Sequence, residues 1–321
     1  MKQRKKTVTR QMLDDARKFF DKYDNNVTRR AFVSNYKRFI DYCRTEFDCR
    51  TKEECCQHIQ EYADNLVGRG LSASTVHSYL APVGLFHSVP LDGIKKPKRV
   101  TAQYKRSRSD NGKAQRSDND ISNPKYARTV EFQMCVGIRR AELKRLKGRD
   151  FGYDGSGYPV VIVEKGKGGR RQEQRLLPED VEFVKSYFRD KDPDELIFSP
   201  EEFKNKIDYH HLRALQAQRA YDYYAFLCQT KEGREQLEQE VRLRYETTKI
   251  NKKTGKPALF KEHLIRGNYY LRGENRKLAK LKGLPTKYDK LCLMAVSVFH
   301  LAHFRNDTTV FSYILHVLYK K

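Results

Sequence analysis

The stretch "HLAHFRNDTTVFSYILH", residues 300–316, determines how the second half of the chain is expected to fold. An apolar helical pattern ends at His300 and His303, a polar break follows, and a second short apolar pattern contains Tyr313. At about 100° per residue, Tyr313 lies roughly 40° beyond the apolar arc of its helix. We therefore expect the core to anchor this tyrosine while its hydroxyl stays accessible, and both histidines to share a second face of the preceding helix.

Charge is the most informative global property of the chain. The net charge is +24, from 65 basic and 41 acidic residues among 321. Because the excess is spread along most of the chain, its natural counterpart is a polyanion, with nucleic acid as the leading candidate. A solvated basic surface, ribosome association and association with a membrane surface are alternatives that charge alone does not separate.

The remaining global features favour a soluble intracellular protein without a membrane partner. No apolar run approaches the length of a membrane span, and the N-terminus has no secretory apolar region. Seven irregularly spaced cysteines do not suggest a disulfide framework. We expect a cytoplasmic location, associated with the nucleoid if the source is bacterial.

A cluster of four cysteines raises the question of a metal site. Cys43, Cys49, Cys55 and Cys56 lie near His58, but none of the usual zinc-ligand spacings is present. Helical patterns around three of these thiols favour small buried side chains instead. We expect neither a metal nor another cofactor.

Helical periodicity predicts a bundle of about four helices over residues 1–94. Thr51 with Glu54 predicts a capping box, Ser72 predicts a second helix start, and Pro82 is expected to kink or divide the helix that follows. Residues 95–121 form a basic, polar linker. This composition places a domain boundary near residue 110.

The second predicted domain, residues 122–321, is mixed but mostly helical. Asn123 and Pro124 predict a helix start, and "YPVVIVEKGKGGRRQEQR" at 158–175 predicts a β-hairpin with a glycine-rich turn. Later helices are expected over 178–188, 207–228, 288–303 and 308–319. The fold class is therefore mostly α with a small β-hairpin or sheet.

Several residues of this domain have the right types for chemistry on a phosphate. Arg139 and Glu142 are at helical spacing, with a surface salt bridge as the simpler interpretation. Lys167 lies in the glycine-rich turn, which could approach a polyanion or be a flexible surface loop. His210 and Arg213 are one helical turn apart and share a face.

The order of these motifs resembles that of the tyrosine recombinase, or phage-type integrase, family. The chain has "GIRRAEL" at 137–143, "GKGGR" at 166–170, "HHLR" at 210–213 and "LAH" at 301–303, with Tyr313 ten residues later. The chain departs from the family pattern in two ways. Ala302 replaces the usual glycine before the histidine, and about ninety residues separate Arg213 from His303. The extra segment, at about 229–285, is strongly basic and is expected to be either an added DNA-contacting subregion or a solvated loop.

The resemblance implies a fold and a mechanism. The first domain would be a helical core-binding domain and the second the catalytic domain, closing as a C-shaped clamp on duplex DNA. Tyr313 would be the nucleophile that forms a covalent 3′-phosphotyrosine, and Arg139 and Arg213 would clamp the phosphate. Lys167 would protonate the leaving 5′ oxygen. The remaining expected roles are proton transfer at the nucleophile for His210, a hydrogen bond to the phosphate for His303, and support of the site for Glu142.

The resemblance also implies partners. We expect double-stranded recombination sites, a homotetramer on paired sites and an accessory directionality factor, with integration or excision of a mobile element as the outcome. A type IB topoisomerase and a non-catalytic DNA-binding relative are the alternatives. Basic residues of the linker and hairpin are candidate contacts to the DNA backbone: Lys95, Lys96, Lys98, Arg99, Lys105, Arg106, Arg108, Arg170 and Arg171.

Overall fold

A computed structural model describes residues 8–23, 25–98, 120–166, 169–251 and 254–315. The chain divides into two compact units, Met1–Tyr104 and Lys105–Lys321. Over the described residues it is mostly helical with two small antiparallel sheets, which confirms the predicted mixture of helices and a small β component. Among the described residues no helix is long and apolar enough to cross a membrane.

The first unit consists of five helices around an aromatic core. They are α1 (Val8–Phe20), α2 (Asn26–Phe47), α3 (Lys52–Gln57), α4 (Ile59–Gly68) and α5 (Ala73–His87). The predicted capping box of Thr51 and Glu54 and the Ser72 cap are both present. The helix predicted from Thr51 onward is interrupted at His58, whose ring stacks on Phe47 at a centroid distance of 3.8 Å. The bundle therefore has one more helix than the periodicity predicted.

Pro82 does not divide α5, so of the two predicted effects, a kink or a division, the division is wrong. A proline cannot donate the helical hydrogen bond to the carbonyl four residues earlier, here that of Ser78. The side-chain amide of Asn35 on α2 donates to this carbonyl instead, at 3.1 Å. Because a neighbouring helix supplies the missing donor, α5 continues through the proline to His87.

The cysteine cluster of this unit is part of the core. Cys43, Cys49 and Cys55 are buried, and the Cys43 thiol points to the carbonyl of Cys55 at 3.9 Å. Over the described residues no group of histidine, cysteine or carboxylate side chains is arranged to hold a metal ion. These thiols act as small apolar side chains there.

The second unit contains the remaining elements. Its helices are α6 (Ala127–Val136), α7 (Arg140–Leu143), α8 (Val181–Ser186), α9 (Tyr209–Leu227), α10 (Lys231–Thr248), α11 (Gly273–Leu281), α12 (Lys290–Ala295) and α13 (Asn306–Thr309). Two π-helical segments, Val296–Leu301 and Val310–Ile314, continue α12 and α13. One antiparallel sheet contains β1 (Phe151–Tyr153), β2 (Pro159–Val163) and β3 (Gln172–Arg175). The other pairs β4 (Asn268–Tyr270) with β5 (Lys287–Asp289).

The segment at 229–285 is a folded part of this unit, so the solvated-loop interpretation is wrong for its described residues. Leu237, Val241 and Tyr245 of α10 are buried in the same core cluster as Phe299 and Tyr313. Four-residue spacing puts the three α10 side chains on one narrow stripe of an otherwise charged helix. Helix α10 thus packs beside the elements that carry His303 and Tyr313.

A buried ion-pair network joins the β-hairpin to α10. The Arg175 guanidinium on β3 donates to Asp154 at 2.7 Å and to Glu240 at 2.6 Å, and lies 3.8 Å from the Phe299 ring centroid. Arg244 of α10 also pairs with Glu173 of β3. Since Arg175 and Asp154 are both buried, these contacts fix the base of the hairpin that leads to Lys167.

Candidate active site

The centre of the site is a hydrogen bond between Tyr313 and His303. Nε2 of His303 lies 2.8 Å from the Tyr313 hydroxyl, and Tyr313 is only 4% exposed. The prediction of an accessible hydroxyl is therefore wrong. The π-helical turn Val310–Ile314 carries the tyrosine, and its wider turn directs the side chain inward rather than to the helix boundary.

His303 reaches this position because the chain leaves the helix at Ala302. Ala302 adopts a left-handed conformation with φ of 52°, directly after the π-helical segment. The backbone N–H of His303 then donates to the carbonyl of Ser297 at 3.0 Å, and the Ser297 hydroxyl accepts from the N–H of Arg305 at 2.8 Å. Ala302 therefore occupies a turn conformation that glycine adopts more readily than alanine.

His300 does not share a face with His303, contrary to the prediction. It is fully buried, with Nδ1 2.9 Å from the Gln216 amide and Nε2 3.0 Å from the Tyr224 hydroxyl. Burial, together with the cations Arg175 and Arg219, lowers the pKa of His300 to about 3. The structure thus makes His300 a neutral core residue.

Helix α9 supplies His210 and Arg213 to the surroundings of Tyr313. Asp208 caps its N-terminus by accepting from the backbone N–H groups of His210 and His211. The ring centroids of His210 and Tyr313 are 5.2 Å apart, and the Arg213 guanidinium carbon lies 5.6 Å from the Tyr313 ring centroid. The shared face predicted for these two residues is directed at the tyrosine.

Arg213 is the largest fully buried side chain of the second unit. Its Nη2 donates to the carbonyl of Leu301 at 3.0 Å, whereas Nε and Nη1 have no well-formed hydrogen bond to any described residue. Burial lowers the Arg213 pKa, the neighbouring Arg139 lowers it further, and the Tyr313 phenol and Glu142 oppose this shift. Burying a guanidinium whose donors lack hydrogen bonds costs free energy, and an acceptor bound to those donors would offset this cost.

Glu142 lies between the two arginines. Its Oε1 accepts from Arg139 Nη1 at 2.6 Å, and its Oε2 accepts from the Arg139 backbone N–H at 2.9 Å. The same Oε2 is 3.8 Å from Arg213 Nη1. Because the Glu142 side chain is 3% exposed, this is a buried bridge and not the surface salt bridge of the simpler interpretation.

Gly137 lets α7 start close to α9. It ends α6 with φ of 67°, and a Cβ there would lie 2.8 Å from Oε1 of Gln216. The side-chain amide of Gln216 also hydrogen-bonds to Nδ1 of His300. Gly137 and Gln216 therefore connect the arginine-bearing turn with the core beneath the tyrosine, a role that the sequence motifs did not reveal.

Lys167 lies outside the described residues. Among its neighbours, the backbone N–H of Gly166 donates to the carbonyl of Arg170 at 2.8 Å. Nη2 of Arg145 donates to the carbonyl of Lys165, also at 2.8 Å. The structure thus describes both strands of the predicted hairpin. It leaves the position of the lysine as a prediction.

The candidate DNA-backbone contacts occupy different environments. Arg170 is exposed, and Arg171 is exposed but pairs with Glu164 and Glu173. Lys95 and Lys98 are exposed, whereas the Lys96 ammonium donates to the backbone carbonyls of Leu91 and Ile94. Four further candidates lie outside the described residues: Arg99, Lys105, Arg106 and Arg108.

Comparison with known proteins gives a similarity to solved structures only. Neither a protein-family model nor a curated protein matches this sequence. Among solved structures, the chain is similar to a crystal structure of XerA recombinase, with 18% identity and a TM-score of 0.23. The matched region covers 66% of this chain and 84% of that chain.

Proposed function

We propose that this protein cleaves and rejoins duplex DNA as a tyrosine-type site-specific recombinase. The observation that carries the proposal is the convergence of five side chains from distant parts of the sequence: Arg139, His210, Arg213, His303 and Tyr313. A nucleophilic hydroxyl, a proton acceptor at 2.8 Å and two guanidinium groups match what transfer of a phosphodiester requires.

The arginines would bind the phosphate that is attacked. A phosphodiester gains negative charge as it becomes pentacoordinate, so fixed cations stabilise the transition state more than the ground state. Nε and Nη1 of buried Arg213, which make no well-formed hydrogen bond to a described residue, are suited to its non-bridging oxygens. Arg139, whose side chain is 26% exposed, would add donors from the solvent side.

The phenol would transfer its proton to His303 as it attacks. In the tautomer with a proton on Nδ1, the Nε2 lone pair of His303 accepts from the Tyr313 hydroxyl. A bond then forms between the Tyr313 oxygen and phosphorus, and the bond from phosphorus to the 5′ oxygen breaks. Lys167 would give a proton to that oxygen. Because Nε2 of His303 lies 2.8 Å from the hydroxyl, we exchange the roles expected from the resemblance and place His210 beside the phosphate.

Rejoining would reverse the same steps. A free 5′ hydroxyl attacks the phosphotyrosine, and the Tyr313 oxygen leaves with the proton returned by His303. The phosphodiester bond energy is kept in the covalent intermediate, so an external energy source is not required. Exchange between two sites would need four copies of the chain, two on each site, and integration or excision of a mobile element is the biological outcome that we propose.

A nicked substrate tests the chemistry. Nicked duplexes tiled across the DNA that flanks the gene lose a short 5′ fragment after cleavage, which traps the covalent intermediate. We expect a denaturant-resistant adduct with the natural chain and none with Tyr313→Phe, which keeps the ring but lacks the nucleophile. An adduct that persists in Tyr313→Phe, or no adduct on any duplex that the protein binds, would overturn the proposal.

Two further readouts separate the alternatives. Relaxation of a supercoiled plasmid by a monomer, without paired sites, would instead identify a type IB topoisomerase. Binding without any adduct would identify a non-catalytic DNA-binding relative. Joining of strands between two labelled duplexes is the result expected of a recombinase.

A further inference from the structure

We infer that the outer face of the segment 268–287 is a second DNA-backbone-binding surface, separate from the side chains around Tyr313. This segment comprises β4, α11 and the start of β5. Its outer face is defined here by five exposed residues: Tyr270, Arg272, Arg276, Lys280 and Lys287. The inference rests on the proposed function only for the identity of the polyanion as DNA.

The two faces of the β4–β5 pair differ in chemistry. Tyr269 pairs with Tyr288, and Tyr270 pairs with Lys287. Side chains alternate between the faces of a sheet. Tyr288 is buried and Tyr269 packs against Phe311, whereas Tyr270 is 62% exposed. One face is therefore part of the core, and the other presents an aromatic ring beside a lysine to solvent.

Helix α11 extends the same chemistry. Its buried side is set by Ala279, and Arg272, Arg276 and Lys280 follow one another at four-residue spacing along exposed positions. Such a stripe places successive cations about 6 Å apart along the helix, so that several of them can face one negatively charged DNA backbone.

Basic residues outnumber acidic ones in this segment. Residues 268–287 contain six basic side chains and one acid, Glu274. That carboxylate pairs with Lys277, 2.9 Å away, which is not among the five residues of the outer face. A surface of this kind repels itself unless a polyanion neutralises it, and an exposed tyrosine among the cations is common in nucleic-acid interfaces.

The segment packs directly on the helix that carries the proposed nucleophile. Leu271, Ala279 and Tyr288 share one core cluster with Val310 and Ile314. DNA bound on the outer face would therefore be held by the same rigid core that positions Tyr313.

The test measures binding without cleavage. In a Tyr313→Phe background, Arg276→Gln, Lys280→Gln and Lys287→Gln are combined, and equilibrium binding to a long duplex is measured from about 50 to 200 mM salt. Each lost phosphate contact lowers the salt slope by about 0.9, so three contacts reduce the affinity lost over this range by about 40-fold. A matched triple variant, Lys185→Gln, Arg189→Gln and Lys204→Gln, removes the same charge from other positions of this unit.

The outcomes are distinct. A flatter salt dependence in the first triple variant alone, with unchanged thermal unfolding, supports the surface. An unchanged slope, an equal change in both variants, or a change seen with duplex RNA but not with DNA would overturn it. Binding is measured without the nucleophile, so failure of this inference is distinguishable from failure of Tyr313 to form an adduct.

Discussion

Nε2 of His303 lies 2.8 Å from the hydroxyl of Tyr313, and the tyrosine is only 4% exposed. If His303 takes the phenolic proton, removing the ring nitrogen should slow cleavage by about 10²–10⁴-fold. His303→Gln is the sharper variant because an amide can still hydrogen-bond to the hydroxyl but cannot accept its proton. Single-turnover adduct formation on the nicked duplex measures the effect.

The control for this prediction is His263→Gln, which changes an exposed histidine of the same unit. Its cleavage rate should equal that of the natural chain. A His303→Gln variant that cleaves at the natural rate would show that the hydrogen bond only positions the tyrosine, and would return the role of base to His210.

Glu142 should be essential for stability because it separates two cations. With a carboxylate 2.6 Å from Arg139 and 3.8 Å from buried Arg213, Glu142→Gln leaves both guanidinium groups without an anion. We expect the free energy of unfolding to fall by about 3–5 kcal/mol, as for other broken buried ion pairs. Added sulfate should restore part of this loss, since it can replace the missing charge.

Urea unfolding with and without sulfate checks this prediction. Glu182→Gln is the matched control, because that carboxylate is 76% exposed and its pair with Lys185 is worth no more than about 1 kcal/mol. Equal stability of Glu142→Gln and the natural chain would contradict the inference that Glu142 offsets the charges of Arg139 and Arg213.

Much of the site was predictable because helical spacing is a local property. The three-residue separations of Arg139 from Glu142 and of His210 from Arg213 both produced the expected neighbours. His210 and Arg213 lie on the regular helix α9, for which a 100° step per residue is accurate, whereas Arg139 is the extended N-cap residue of α7 and meets Glu142 through a capping contact. The side chain of Lys167 stays a prediction.

The errors around Tyr313 come from departures from that regular step. Residues 296–301 and 310–314 are π-helical, so a wheel drawn at 100° per residue misplaces their side chains. The left-handed turn at Ala302 then separates His303 from the face of His300. Both departures depend on tertiary packing around the pocket, which periodicity does not contain.

The folded state of the 229–285 segment was hidden for a different reason. Charged residues dominate α10, and only Leu237, Val241 and Tyr245 are buried along it. Their four-residue spacing was present in the sequence as a signal, but a stripe of three apolar side chains is narrow. Strands β1, β4 and β5 have three residues each, too few for alternation to identify them.

Ala302→Gly should stabilise the protein. An alanine at φ of 52° carries a steric cost of about 1 kcal/mol that glycine avoids, although glycine has more freedom to lose on folding. We therefore expect a gain of about 0.5–1 kcal/mol in the free energy of unfolding. Ala295→Gly is the control, because Ala295 is buried with φ of −57° and should lose about 1 kcal/mol or more. A gain in unfolding free energy for Ala302→Gly together with a loss for Ala295→Gly supports the left-handed conformation of Ala302. A loss in both variants would contradict it.

His300 should make the protein less stable in mild acid. Its pKa is about 3 in the folded chain and 6.5 as its ordinary value, because burial and the nearby Arg175 and Arg219 disfavour the charged form. Between these pH values the unfolded chain binds a proton that the folded chain does not, so stability falls as pH drops from about 6.5 toward 3. The full loss is about 5 kcal/mol for a shift of this size.

The measurement is urea unfolding at a series of pH values for the natural chain and for His300→Gln. The variant cannot titrate, so although it loses stability at pH 7 through poorer bonding to Gln216 and Tyr224, its stability should change less between pH 6.5 and 4. The difference in unfolding free energy between the two chains should therefore shrink as pH falls. A difference that stays constant over this range would mean that His300 is charged in the fold, and that the neutral core around it is assigned wrongly.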